Sequence, residues 1–286
     1  MVYRRGCKKK ANIMQTSYIR TTEGFRLHAR RNGTGDVPII FLHGFPFDST
    51  QWLPQLEELA DMAVMLAPDL RGLGRSEGPA EPGEYSLGIW ADDARAWLDE
   101  LGWERAVVAG LSMGGYTAFE FARRYPERLA ALILLDTHPR ADEPDTIANR
   151  RRSQQIVARE GVAGIADGLL ERVLGRRTRQ LQPGIVADVR RMMHAAPVAG
   201  VVGALEAMAR RSEATSLLSG ITVPVLVAAG EDDLLTPPAR TQEWAHRLPD
   251  AVIATIPEAG HVTSLEAPGA VNAIIRHFVE GLEPIG

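Results

Sequence analysis

One serine in this chain stands in a setting that could activate it. Ser112 lies in Gly110-Leu111-Ser112-Met113-Gly114-Gly115, a G-x-S-x-G pattern that follows the apolar run Ala106–Ala109 and opens a segment of helical spacing, Gly114–Arg124. A strand that turns sharply into a helix forces its central residue into a strained conformation, and glycines on both sides let the two segments pass closely. The hydroxyl is then presented at a strand end, next to backbone N–H groups and the positive end of the helix dipole. This is the setting of a nucleophile for acyl transfer. A serine hydroxyl is weak near neutral pH, so the chemistry also needs a histidine base and an acid that orients it.

Seven histidines are available. His28 falls in a hairpin, His194 in a helical stretch, and His246 and His277 in amphipathic helices, where each reads as a packed or solvated side chain. His138 falls at the start of an insertion. His261 follows the last strand-like run in Pro257-Glu258-Ala259-Gly260-His261 and precedes the final helix, where its ring can reach over the C-terminal edge of a sheet. It is the candidate base. The acid is expected at another strand end between serine and histidine. Asp232 and Asp233 in Gly230-Glu231-Asp232-Asp233 both meet that condition, and Asp136 after Ala130–Leu135 is a third option. An oxyanion needs two donors, and His43-Gly44-Phe45-Pro46 follows the run Val37–Leu42. Proline has no N–H, so the backbone amides of Phe45 and Met113 are the expected pair. His43 then holds the loop. No nearby acid or histidine completes a ligand set around it, so no metal is expected there, and acyl transfer by a serine, a histidine and an acid needs no cofactor.

The elements that must position these residues follow from the pattern of apolar runs. Ser17–Thr21 and Phe25–Arg31 flank Glu23-Gly24 as a hairpin. Val37–Leu42, Ala63–Ala67, Ala106–Ala109, Ala130–Leu135, Val223–Ala228 and Val252–Ile256 read as buried strands. Helical spacing between most of them, as in Leu87–Leu101 and Arg240–Leu248, predicts an α/β fold with a mostly parallel sheet covered on both faces. The alternation breaks between Thr137 and Gly220, where three successive helical stretches predict an inserted cap over residues 137–220, with a core of residues 17–136 and 221–286. Residues 1–16 are expected to be a disordered leader, five of the first ten being basic without the apolar stretch of a signal peptide.

Composition bounds the rest. Charged residues make up 24% and the net charge is −4, which argues against a general nucleic-acid surface. No apolar run approaches the ~20 residues of a membrane helix. The single cysteine, Cys7, allows neither an intrachain disulfide nor a cysteine-based zinc site, and a cytoplasmic location fits best.

Five segments, in order, resemble the α/β-hydrolase superfamily over about residues 19–279: HGFPFDSTQW at 43–52, APDLRGLGRS at 67–76, GLSMGG at 110–115, GEDDLLTP at 230–237 and PEAGHVTSLEAP at 257–268. The pattern is similar to the capped serine esterase and lactonase branch, with the 3-oxoadipate enol-lactonases closest in overall plan. In similar G-x-x-D loops the acid stands three residues after the glycine, which the resemblance places on Asp233. It implies a triad of Ser112, His261 and Asp233, and makes the charged residues of Asp69–Ser76 loop braces. Similar dehalogenases and epoxide hydrolases carry an aspartate where this chain has Ser112, and similar carbon–carbon hydrolases carry a glycine-rich H-G-x-G-P-G loop that this chain lacks. The expected activity is hydrolysis of a small-molecule ester or lactone. A perhydrolase or lyase at the same triad, and a ligand-binding receptor of the same fold, are the alternatives. Trp52, Leu169 and Met192 are candidate pocket residues, with Phe45, Met113, Leu170 and Met193 beside them. The many cap arginines are expected mostly on solvated faces between Glu160, Glu171, Asp188 and Glu206.

Overall fold

The computed structural model describes residues 14–285, and among these residues eight strands form one sheet. The strands are β1 (Gln15–Arg20), β2 (Arg26–Asn32), β3 (Val37–Leu42), β4 (Ala63–Pro68), β5 (Ala106–Leu111), β6 (Leu129–Leu135), β7 (Val225–Gly230) and β8 (Ala251–Ile256), lying in the order β1-β2-β4-β3-β5-β6-β7-β8. β1 and β2 are an antiparallel hairpin whose second strand joins β4 antiparallel, and all remaining pairs are parallel. The N-terminal segment expected to be disordered lies mostly outside the described residues. Its last part is different: Gln15 and Thr16 pair with Arg31 and Arg30, so they belong to the sheet.

Helix α1 (Leu53–Glu58) follows β3, α2 (Leu87–Leu101) follows β4 and α3 (Met113–Arg124) follows β5. Between β6 and β7 come α4 (Pro144–Glu160), α5 (Ala163–Val173), α6 (Arg176–Leu181), α7 (Pro183–Ala195) and α8 (Val198–Ala209); α9 (Pro238–Ala245), α10 (Thr263–Glu266) and α11 (Pro268–Glu280) complete the fold. Successive strand residues face opposite sides, so Ile40, Leu42, Val108 and Leu132 pack with Trp90, Trp97, Phe119 and Trp244, while Ile39, Phe41, Val107 and Ile133 pack with Leu56, Ile275 and Phe278. Both faces being covered is why β5, β6 and β7 are buried at every position.

The helices between β6 and β7 bring a third cluster. Leu170 and Val173 of α5 meet Val189, Met192 and Met193 of α7, and the cluster extends to Phe47, Val262 and Leu265 of the core. This insertion therefore rests on the loops at the C-terminal edge of the sheet. No single helix among the described residues is long and apolar enough to cross a membrane.

Candidate active site

Between β5 and α3 the chain turns on Ser112, which sits at φ 54° and ψ −113°. Two glycines make the turn possible. A Cβ on Gly110 would lie 2.2 Å from the Gly114 carbonyl oxygen, and one on Gly114 would lie 2.0 Å from that of Leu42, so neither position admits a side chain. The Ser112 hydroxyl lies 2.8 Å from His261 Nε2, and His261 Nδ1 lies 2.8 Å from Asp233 Oδ2. Because Nδ1–H donates to the carboxylate, the Nε2 lone pair is free to accept the serine proton.

The surroundings set the charges of this relay. Burial opposes ionisation of Asp233, but His261 and the Thr236 hydroxyl and amide outweigh it and hold the carboxyl at a pKa of about 2. Its Oδ1 accepts the amides of Leu235 at 2.7 Å and Thr236 at 3.0 Å, while the Thr236 hydroxyl donates to Oδ2. Burial likewise disfavours the His261 imidazolium, yet Asp233, with Asp136 and Glu266 behind it, raises the pKa above its ordinary value.

The three candidate acids occupy different places. Asp233 alone among them bonds the imidazole. Asp232 is exposed, and its amide donates to the Ala259 carbonyl. Asp136, at φ 49°, accepts the Gly230 amide at 2.9 Å and the Thr263 amide at 3.3 Å, and also meets the Thr263 hydroxyl. Burial and the adjacent Asp233 push its carboxyl well above the usual range. It ties the acid loop to the histidine loop from behind.

The loop after β3 is held from several directions. Gln51 Oε1 accepts the Gly44 amide at 2.8 Å, and His43 donates from Nδ1 to the Gly44 carbonyl while its Nε2 accepts the Leu70 amide at 2.9 Å. Burial pushes the His43 pKa down, consistent with this neutral tautomer. A Cβ on Gly44 would lie 3.2 Å from the Leu111 side chain, which places the loop alongside the elbow. Among the described residues neither the Phe45 nor the Met113 amide has a protein acceptor. Further back, Asp69 accepts from His28 Nδ1 and from the Ser49 and Arg75 amides, bracing the segment that His43 touches.

The candidate pocket residues divide. Trp52 is not at the site: it is fully buried, packed on Phe41 with ring centroids 4.9 Å apart, in the layer beneath the sheet with α1 and α11. The turn Ser49–Trp52, capped by the Asp48 side chain, leads into α1 and carries the indole into the core. Leu169 and Met192 instead join Phe47, Leu235 and Val262, which belong to the loops after β3, β7 and β8. Met113 contributes its side chain to the core and its amide to the elbow. Most cap arginines are exposed, as expected. Arg211 is buried, paired with Asp142 at 2.6 Å and stacked 4.1 Å over the Tyr116 ring, and Arg150 also bonds Asp142.

Sequence reasoning missed Gln51, Thr236 and Glu266. Glu266 is the one with a visible signal, an acid set in the otherwise uncharged stretch from His261 to Ala270.

Residues 37–268 match the alpha/beta hydrolase fold family, and the chain belongs to that family of hydrolases. Within it, the likeness runs to the esterase and enol-lactonase branch. A thermophilic esterase of Thermogutta terrifontis, solved with malate bound, has 39% sequence identity and a TM-score of 0.89, covering 93% of this chain and 98% of its own. The 3-oxoadipate enol-lactonase 2 of Acinetobacter baylyi is 28% identical over 90% of this chain and 96% of itself. Bifunctional epoxide hydrolase 2 of Sus scrofa is 28% identical over 94% of this chain, which spans 56% of that protein's length.

Proposed function

We propose that this chain is a serine hydrolase that cleaves a carboxylic ester or lactone through an acyl-enzyme. The observation that carries the proposal is the unbroken relay from Ser112 Oγ through His261 to Asp233, with both links at 2.8 Å. Ser112 Oγ attacks the carbonyl carbon as its proton passes to His261 Nε2. Charge that develops on the carbonyl oxygen is received by the amides of Phe45 and Met113, both without a protein acceptor among the described residues, the second standing in the first turn of α3 at the positive end of its dipole. His261 then returns the proton to the departing alkoxide, which in a lactone stays tethered to the acyl group. Water, deprotonated by the same nitrogen, attacks the acyl-enzyme and restores Ser112. Asp233 remains ionised throughout and stabilises the transient imidazolium. These steps require no cofactor.

Similarity to an esterase and an enol-lactonase supports this class of substrate. The serine at the elbow weighs against the covalent alkyl chemistry expected of an aspartate there. The insertion of α4–α8 would cover the acyl or alcohol portion and set its size.

The test joins labelling to turnover. An organophosphonate should modify Ser112, located by mass spectrometry, and Ser112→Ala should keep the fold while losing on the order of 10³-fold or more in kcat on p-nitrophenyl esters. A folded Ser112→Ala variant with wild-type turnover would refute the proposal. A screen over esters and lactones of graded length would then separate esterase from lactonase.

A further inference from the structure

The joint between α5 and α6 meets the histidine loop backbone against backbone. A Cβ on Gly175 would lie 2.8 Å from the Gly260 nitrogen, and one on Gly260 would lie 2.3 Å from the Gly175 nitrogen. A Cβ on Gly230, which opens the acid loop, would lie 2.0 Å from the Gly260 carbonyl oxygen. The acid loop, the histidine loop and the insertion are thus stacked with no side chain between them.

Hydrogen bonds lock this stack around His261 itself. The His261 amide donates to the Val173 carbonyl at 2.8 Å. Glu266, buried at the end of α10, accepts the Gly175 amide on Oε2 at 2.8 Å and the Val262 amide on Oε1 at 3.1 Å. One carboxylate therefore spans from the insertion to the residue after the histidine. A carboxylate suits this place because both of its oxygens accept, whereas an amide side chain has one accepting oxygen.

We propose that Glu266 is a positioning residue that binds the α5–α6 joint and the histidine loop into one body, so that the seating of the insertion and the aim of His261 at Ser112 are set together. The proposal rests on His261 being the general base. A purely structural role would lower stability and leave the chemistry of the folded protein unchanged. A role confined to covering the substrate would appear in KM and grow with acyl length. Coupling through His261 predicts a loss in kcat common to all substrates, because every turnover uses the same proton transfer.

The experiment compares Glu266→Ala and Glu266→Gln with the wild type and with Ser112→Ala. Thermal melts establish folding, kcat and KM are measured separately on acetyl and octanoyl esters, and kcat/KM is followed against pH. Glu266→Ala is expected to lose on the order of 10²-fold in kcat, by nearly the same factor on both esters, as for a catalytic group displaced by about 1 Å. Glu266→Gln should recover part of the loss, since one acceptor remains. Its acid limb should move to lower pH. The groups facing His261 are Asp233 from the acid loop, Asp136 from the end of β6, Glu266 from α10 and, beyond β6, His138; the three carboxyls raise the His261 pKa, and the substitution removes one of them.

Folded variants with wild-type kcat and an unmoved acid limb would overturn the proposal, as would a loss confined to KM on the octanoyl ester. If Glu266→Ala does not fold, Glu266→Gln decides on the same two readouts. Turnover in Ser112→Ala would remove the underlying assignment, an outcome distinct from a dead Ser112→Ala beside a fully active Glu266→Ala.

Discussion

Replacing Asp233 with asparagine isolates the orienting role of the acid. The native Oδ1 accepts the Leu235 and Thr236 amides at 2.7 and 3.0 Å, while Oδ2 faces His261 Nδ1 at 2.8 Å and the Thr236 hydroxyl. In Asp233→Asn the single amide oxygen can still satisfy both backbone donors, which turns the NH2 group toward His261. Nδ1 must then accept a hydrogen bond, so the ring carries its proton on Nε2 and points an N–H at the Ser112 hydroxyl. The base is in the wrong tautomer although its position is unchanged. A loss of about 10⁴ in kcat is expected, equivalent to about 5.5 kcal/mol of transition-state stabilisation. Asp136 cannot take over, because its oxygens are engaged by Gly230 and Thr263. The assay is steady-state hydrolysis of a p-nitrophenyl ester, with folding checked by a thermal melt and the tautomer read from imidazole ¹⁵N shifts. Asp233→Asn retaining more than about a tenth of the activity would refute this reasoning, and so would an equal loss in Asp232→Asn or Asp136→Asn.

Further outcomes follow from the same structure. On the acid side, kcat/KM should rise through one ionisation with a midpoint above 6.5, because burial's push against the imidazolium is outweighed by Asp233 and the working form is neutral; a midpoint below 6.5 would contradict it. Asp69 is held at a pKa of about 2 from 3.8, burial being overcome by His28, Ser49 and Arg75, so its contribution is full above the unfolded value and is lost as pH falls from 3.8 toward 2. Denaturant unfolding at pH 7 should accordingly find Asp69→Asn less stable by about 2 kcal/mol or more. Trp52→Ala should cost about 3–5 kcal/mol with acyl-length preference unchanged, as befits a core residue. Met192→Ala should shift that preference by about 1–3 kcal/mol in relative kcat/KM while retaining kcat on the shortest ester; a lower melting temperature with unchanged preference would place Met192 in the core instead.

Much of the fold and the candidate chemistry was legible in local sequence. The parallel sheet followed from apolar runs too uniform for a one-sided strand, and the elbow from glycines that backbone contact demands at positions 110 and 114. His261 could be singled out because a strand end followed by a loop leaves few places for a side chain that must cross the sheet edge. These features depend on spacing within a few residues, which a sequence displays directly. Tertiary structure decided what depends on distance across the fold. It brought Asp233, which only the resemblance had favoured over Asp232 and Asp136, to the imidazole, because which carboxylate reaches Nδ1 depends on how three strand-end loops converge. It carried Trp52 beneath the sheet, because an aromatic residue near a motif reads the same on either face until the following helix packs. It also joined the Glu266 carboxylate to the Gly175 amide, 91 residues apart, beside a backbone contact between Gly175 and Gly260 whose only trace in the sequence is two glycines and one acid.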